Sequence, residues 1–172
     1  TAMDTVVADT TSTSPVANIA EPLPSGKTIT DKDVVFFVQK ASSVGMMEIE
    51  LGNYATQNGQ NQRVKDFGAM LVNDHAKAAN DLKAIATSNS ITVPASMLKE
   101  EQEHVDMLKK KSGAAFDKDY IDMMAQGHKK TIEMFKKASA DLSEDAYKAF
   151  ATMTLPVLQK HLDSAQAIRK GL

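Results

Sequence analysis

Four residues in this chain are suited to chemistry: Glu48, His75, His128 and His161. A carboxylate and neutral imidazoles are ligands that Zn²⁺, Fe²⁺, Mn²⁺ or Cu²⁺ accept, and three His with one Glu would fill a tetrahedral site. The same groups could instead close on themselves as a buried hydrogen-bonded cluster, Glu48 accepting from a His and the imidazoles satisfying one another. Either arrangement needs four distant stretches of chain to bring one side chain each to a common place.

Those stretches read as amphipathic helices. Val34, Phe37, Ala41, Val44, Leu51 and Ala55 recur at three- and four-residue steps, the period of one helix face. Glu48 falls on that stripe, whereas Glu50 is rotated by about 200° and points the other way. An inward carboxylate costs several kcal/mol unless something pairs with it. A second helix carries Val64, Phe67, Leu71, Ala78, Leu82 and Ile85 on one face, with His75 among them. A third carries Tyr120, Met124, Thr131, Phe135 and Ala138, with His128 between Met124 and Thr131. On the last, Phe150, Val157 and Ile168 mark the inner face and His161 follows Val157 by four. Pro156 lies inside this helix, where it removes one backbone donor.

The boundaries follow from caps and turns. Thr30 or Asp31 supplies an N-cap, and Asn58, Gly59 and Asn61 turn the chain after about Gln57. Ser88 to Ser90 end the second helix; Asp141 to Glu144 form another turn, with Ser143 as the expected cap of the last helix. Between these hairpins, Thr92 to Gly113 is a long connection. Ala95 to Lys111 has a weak apolar face and predicts a shorter outer helix spanning some 25 Å. The predicted fold is all-α: a ferritin-like four-helix bundle with an additional short helix in the long connection between the second and third long helices. Plain up-down-up-down topology is the alternative.

Helical rise places the four residues at comparable depth. Glu48 and His75 lie about 17 and 23 Å below the first turn, His128 and His161 about 22 and 28 Å from the second. In helices of roughly 40 Å, both topologies put all four in or near the middle third.

The bulk composition narrows the rest. At 172 residues and 42% apolar content, the chain can bury one sizeable core, assigned to residues 31–172. Residues 1–30, rich in Thr, Ser, Pro, Ala and Asp, predict a disordered leader or a tether to a signal or lipid anchor. A formal net charge of −2 gives no reason to expect nucleic acid or an anionic membrane surface as partner. The absence of Cys excludes disulfides and thiolate metal sites, and no apolar run reaches membrane-spanning length.

Other features are weaker. Glu101 and His104 have the Glu-x-x-His spacing of di-iron bundles but lie on the poorly amphipathic connection, and are read as part of a solvated charged face. Asp74 and Asp163 flank His75 and His161 and could accept the outer N–H of an imidazole, or simply be surface charges. The ten Met are scattered on apolar stripes and read as core filler. No phosphate loop or nucleophile–base pair stands out, so no enzyme activity is assigned.

The segment from about Asp33 to Ile168 resembles the DUF4142 family of exported bacterial proteins. The resemblance rests on Gly45-Met46-Met47-Glu48-Ile49-Glu50, Val64-Lys65-Asp66-Phe67, Asp74-His75, Phe116-Asp117-Lys118-Asp119-Tyr120, His128, Leu155-Pro156-Val157-Leu158 and His161-Leu162. It implies a ferritin-like fold and a periplasmic or outer-membrane-associated location. It implies little about activity. The core helices lack the paired Glu-x-x-His motifs of true ferritins, which argues against ferroxidase chemistry. Two functional readings follow: a Zn or Fe site in envelope stress or metal handling, and a non-catalytic structural or interaction module with a purely internal cluster.

Overall fold

A computed structural model describes residues 31–172; the leader assigned to residues 1–30 lies outside them. The described chain forms α1 (Lys32–Asn58), α2 (Gln62–Ser88), α3 (Lys99–Leu108), α4 (Gly113–Asp141) and α5 (Asp145–Arg169). Two caps open the first hairpin: the Asp31 side chain accepts from Asp33 N at 2.8 Å, and Asn61 accepts from Arg63 N at 2.9 Å. No helix among the described residues is long and apolar enough to cross a membrane.

Contacts at the two ends settle the topology. At one end the buried Asp117 carboxylate, in the first turns of α4, accepts from Gln60 N at 3.1 Å and Asn61 N at 2.7 Å, tying α4 to the α1–α2 turn. At the other, Ser143 Oγ donates to Asp31 Oδ2 at 2.6 Å, tying the α4–α5 turn to the start of α1. The turns therefore lie at opposite ends, and the α2–α4 connection runs the length of the bundle. This is the ferritin-like order. The strongest pairings are α1 with α2 and α4 with α5, followed by α2 with α5.

Three local expectations need correction. The connecting helix is ten residues, not about 17. Its expected first turn is not helical: the chain bends at Ala95 and Ser96, and Leu98 is extended with its N–H donated to Ser43 Oγ on α1 at 2.7 Å. Ser143 does not cap α5, since its hydroxyl is engaged by Asp31. On α5 Leu158 is fully buried in place of Val157, which is only half-buried; the helix continues through Pro156.

The first hairpin is closely packed. A Cβ built on Gly52 would lie 2.7 Å from Gly68 O, and one on Gly68 would lie 2.7 Å from Gly52 O. Real Cβ atoms do not tolerate such contacts, so glycine at both positions sets the separation of α1 and α2. Glu48 lies one turn before Gly52, so this close approach also fixes its distance from α2.

Aromatic layers then bracket the middle of the bundle. Phe37, Phe135 and Phe150 pack edge-on or tilted on one side, with centroids 5.1–6.3 Å apart. Tyr54, Phe67, Phe116 and Tyr120 pack on the other, with centroids 5.1–6.1 Å apart. The polar residues lie between the two layers.

Candidate metal centre

Glu48 on α1, His75 on α2, His128 on α4 and His161 on α5 converge in that middle layer. Glu48 is 1% exposed, His75 7%, and the other two wholly buried. Glu48 Oε2 contacts His75 Nε2 and lies 3.5 Å from His128 Nε2. One ring nitrogen from each His falls within 4.8 Å of the others. The several-ångström axial scatter inferred from helical rise is absorbed by side-chain reach and the relative placement of the helices.

Neighbouring acceptors determine which nitrogens carry protons. His128 Nδ1 lies 2.9 Å from Met124 O, and a carbonyl can only accept, so Nδ1 carries the hydrogen. His161 Nε2 lies 2.8 Å from Asp74 Oδ2 and likewise donates. In the neutral rings the remaining nitrogens, His128 Nε2 and His161 Nδ1, are both bare lone pairs. They face each other at 3.2 Å. Asp74 thus serves His161 on the facing hairpin, not its sequence neighbour His75. Asp163 is a surface residue that accepts from Gln159 Nε2 at 2.9 Å.

The charges are coupled across the layer. Burial works to raise Glu48, but the three imidazoles together outweigh it and hold the carboxyl down at about 2. Burial also opposes charge on His75, yet the Glu48 carboxylate against it prevails and raises that imidazole. For His161 burial dominates, offset only in part by Asp74, and pushes the ring down to about 4. The contact between Glu48 and His75 is an ion-pair approach without hydrogen-bonding geometry, so both Glu48 oxygens and His75 Nε2 remain buried without a hydrogen bond among the described residues. Tyr120 is a further buried group near the site. Sequence reading took it for an apolar stripe residue, but its hydroxyl has no hydrogen-bond partner there, and burial together with Glu48 raises its pKa.

These residues could hold a first-row transition ion. Metal bonds of ~2.0–2.2 Å in a tetrahedral site place neighbouring donor atoms roughly 3.3–3.5 Å apart. The 3.2 Å between His128 and His161 and the 3.5 Å between Glu48 and His128 match two such edges. The hydrogen bonds to Met124 O and Asp74 are of the kind that orient ligating imidazoles.

The Glu-x-x-His pair of α3 lies outside this centre, and the expectation of a solvated face fails for Glu101. That residue is 3% exposed and accepts from Ser43 Oγ at 2.8 Å, with Lys40 Nζ against its other oxygen. The weak stripe of α3 packs on α1, and the acid goes inward because two donors await it.

The family model "Domain of unknown function (DUF4142)" matches residues 20–168. The chain belongs to the DUF4142 family. The match spans all four convergent residues and reaches ahead of the described structure, further than the resemblance read from Asp33 onward. No curated protein and no solved structure matches this DUF4142 chain.

Proposed function

We propose that this DUF4142 protein binds one divalent transition-metal ion, Zn²⁺ or Fe²⁺, through Glu48, His75, His128 and His161. The observation that carries the reading is the pair of facing lone pairs on His128 and His161 at 3.2 Å. A purely internal network would need a proton between them, and burial of His161 works against that proton at neutral pH. A cation between the rings would satisfy both nitrogens, Glu48 and His75 together.

The bound ion would supply Lewis acidity. The chain's own residues would supply a fixed donor set, a dry surround and the Asp74 and Met124 acceptors that keep two rings in their ligating tautomers. We infer a role in metal handling or stress response at the cell envelope, in the periplasm or at the outer membrane. The Thr-, Ser- and Pro-rich composition of residues 1–30, suited to a tether, supports that placement.

Calorimetric titration of the demetallated full chain tests the metal. Expected is saturable binding near one equivalent, weakened sharply by His128→Ala or His161→Ala. Absence of stoichiometric binding by Zn²⁺, Fe²⁺, Mn²⁺ and Cu²⁺ leaves the internal network as the reading. Cell fractionation tests the placement, and recovery with the cytosolic fraction would refute it.

A further inference from the structure

A groove of ≈ 540 Å³ opens between α1, α3 and α4, with Glu48 among its lining residues. Its size falls in the ~300–1,000 Å³ range of small-molecule pockets. Four other carboxylates border it, Glu100, Glu101, Asp119 and Asp122, and each is held by a lysine or arginine. Glu48 has no such partner among the described residues. Its Oε2 is turned to the imidazoles, while Oε1 is buried and accepts no hydrogen bond there. A nearly inaccessible carboxylate oxygen with no donor, in a residue lining a groove, calls for a donor from within the groove.

The walls define the remainder of the ligand. Met47, Met107, Met123 and Met134 line the groove, a concentration that the reading of methionines as scattered core filler did not foresee. Unbranched thioether side chains adapt to flexible apolar partners. Lys40, Lys111 and Arg169 hold the other four carboxylates, so the lining carboxylate without a lysine or arginine partner among the described residues is Glu48, and it favours a cation over an anion. Gly127 also lines the groove, and a Cβ built there meets nothing within 4 Å. Packing gives no reason for glycine at that helical position, where alanine would be favoured by about 1 kcal/mol. What glycine leaves there is room.

We propose that this groove binds an amphipathic organic cation, a primary ammonium on an unbranched apolar chain, with the ammonium donating to Glu48 and the chain lying along the methionines. The site goes beyond the metal reading and does not depend on it, because it rests on Oε1 and the groove. The test uses the full chain as purified, titrated with n-octylammonium and separately with octanoate, with methionine methyl groups labelled for NMR. Expected is saturable one-to-one binding of octylammonium, at least tenfold tighter than octanoate. The methyl signals of Met47, Met107, Met123 and Met134 should shift, and that of the exposed Met153, outside the groove, should not. Gly127→Leu should weaken binding at least tenfold with the helical content and melting temperature retained; if that variant does not fold, the wild-type methyl shifts decide alone. Absence of saturable binding, equal affinity for octanoate, or shifts shared by Met153 overturns the proposal. A chain that sediments as a dimer, with the groove methionines insensitive to octylammonium, assigns the groove to self-association and overturns it as well. Metal titration is a separate measurement, so failure of either reading is visible independently.

Discussion

Asp74 on α2 accepts the Nε2–H of His161 on α5 at 2.8 Å, so a carboxylate on one hairpin decides which nitrogen of an imidazole on the other faces the centre. Asp74→Ala frees that tautomer. Zn²⁺ affinity should fall ~10–100-fold, the usual effect of removing such an acceptor. Titration of the demetallated variant checks this. Unchanged affinity with only a lower melting temperature would reduce Asp74 to a structural partner.

The coupled charges predict an acid response with distinct parts. His161, held down at about 4 against an ordinary 6.5, takes up a proton more readily in the unfolded chain, so its contribution is lost as pH falls from 6.5 through about 4. His75, raised above 6.5, contributes stability that is fully present below 6.5 and lost as pH rises through its folded value. Glu48, held at about 2 against 4.5, contributes above 4.5 and loses that contribution as pH falls through about 2. Below 6.5 the His75 contribution is already complete and level, so the His161 loss is unopposed there, and below 4.5 Glu48 adds to it. The melting temperature of demetallated protein should therefore rise as pH falls toward 6.5, decline from 6.5 downward and fall more steeply below about 4.5. In His75→Asn the rise on approaching 6.5 from above should be missing while the decline below it remains. A wild-type melting temperature that stays level between pH 6.5 and 4.5 would contradict this account.

The glycines of α1 separate by environment. Gly52→Ala forces a methyl to 2.7 Å from Gly68 O, and overpacking of this kind costs ~1–3 kcal/mol. Gly45→Ala, with nothing within 4 Å of the new Cβ, should be neutral or stabilise by up to ~1 kcal/mol through helix propensity. Denaturant unfolding of both variants gives the two signs directly.

Removing the acid that binds α3 to α1 should loosen the connection selectively. Glu101→Ala leaves the buried Ser43 hydroxyl without its acceptor and Lys40 Nζ with Glu100 alone, at a cost of ~1–3 kcal/mol. Amide exchange should accelerate in α3 well before α2 or α5. Uniform acceleration across all helices would show that α3 is not an independently opening element.

Much of this architecture is legible in side-chain periodicity. Val34, Phe37, Leu51 and Ala55 on α1, and Val64, Phe67, Leu71 and Leu82 on α2, are buried as their spacing requires. Glu50, rotated off the stripe, pairs with Lys109 at the surface. What escapes periodicity is pairing between elements far apart in sequence. Asp74 and Asp163 each lie within two residues of a core histidine in the sequence, yet one faces a neighbouring helix and the other lies on an outer surface. Glu101 looks like one charge among many on a weak stripe, and only the position of Ser43 and Lys40 on another helix turns it inward. The late start of the connecting helix has the same origin, since the Ser43 hydroxyl takes the amide of Leu98.

The hairpin arrangement has a kinetic consequence. Glu48 and His75 belong to the α1–α2 hairpin, His128 and His161 to the α4–α5 hairpin, and each hairpin is built from contacts close in sequence. Such local units assemble early, before distant segments must meet. The four-residue layer is complete only when the hairpins dock, after the transition state for forming either one. An ion held there would act on the escape from the native state rather than on its formation. Zn²⁺ should slow unfolding in proportion to the stability it adds while leaving the refolding rate nearly unchanged. The protein would then retain its ion through persistence of the folded chain, in a lifetime set by how seldom the two hairpins part.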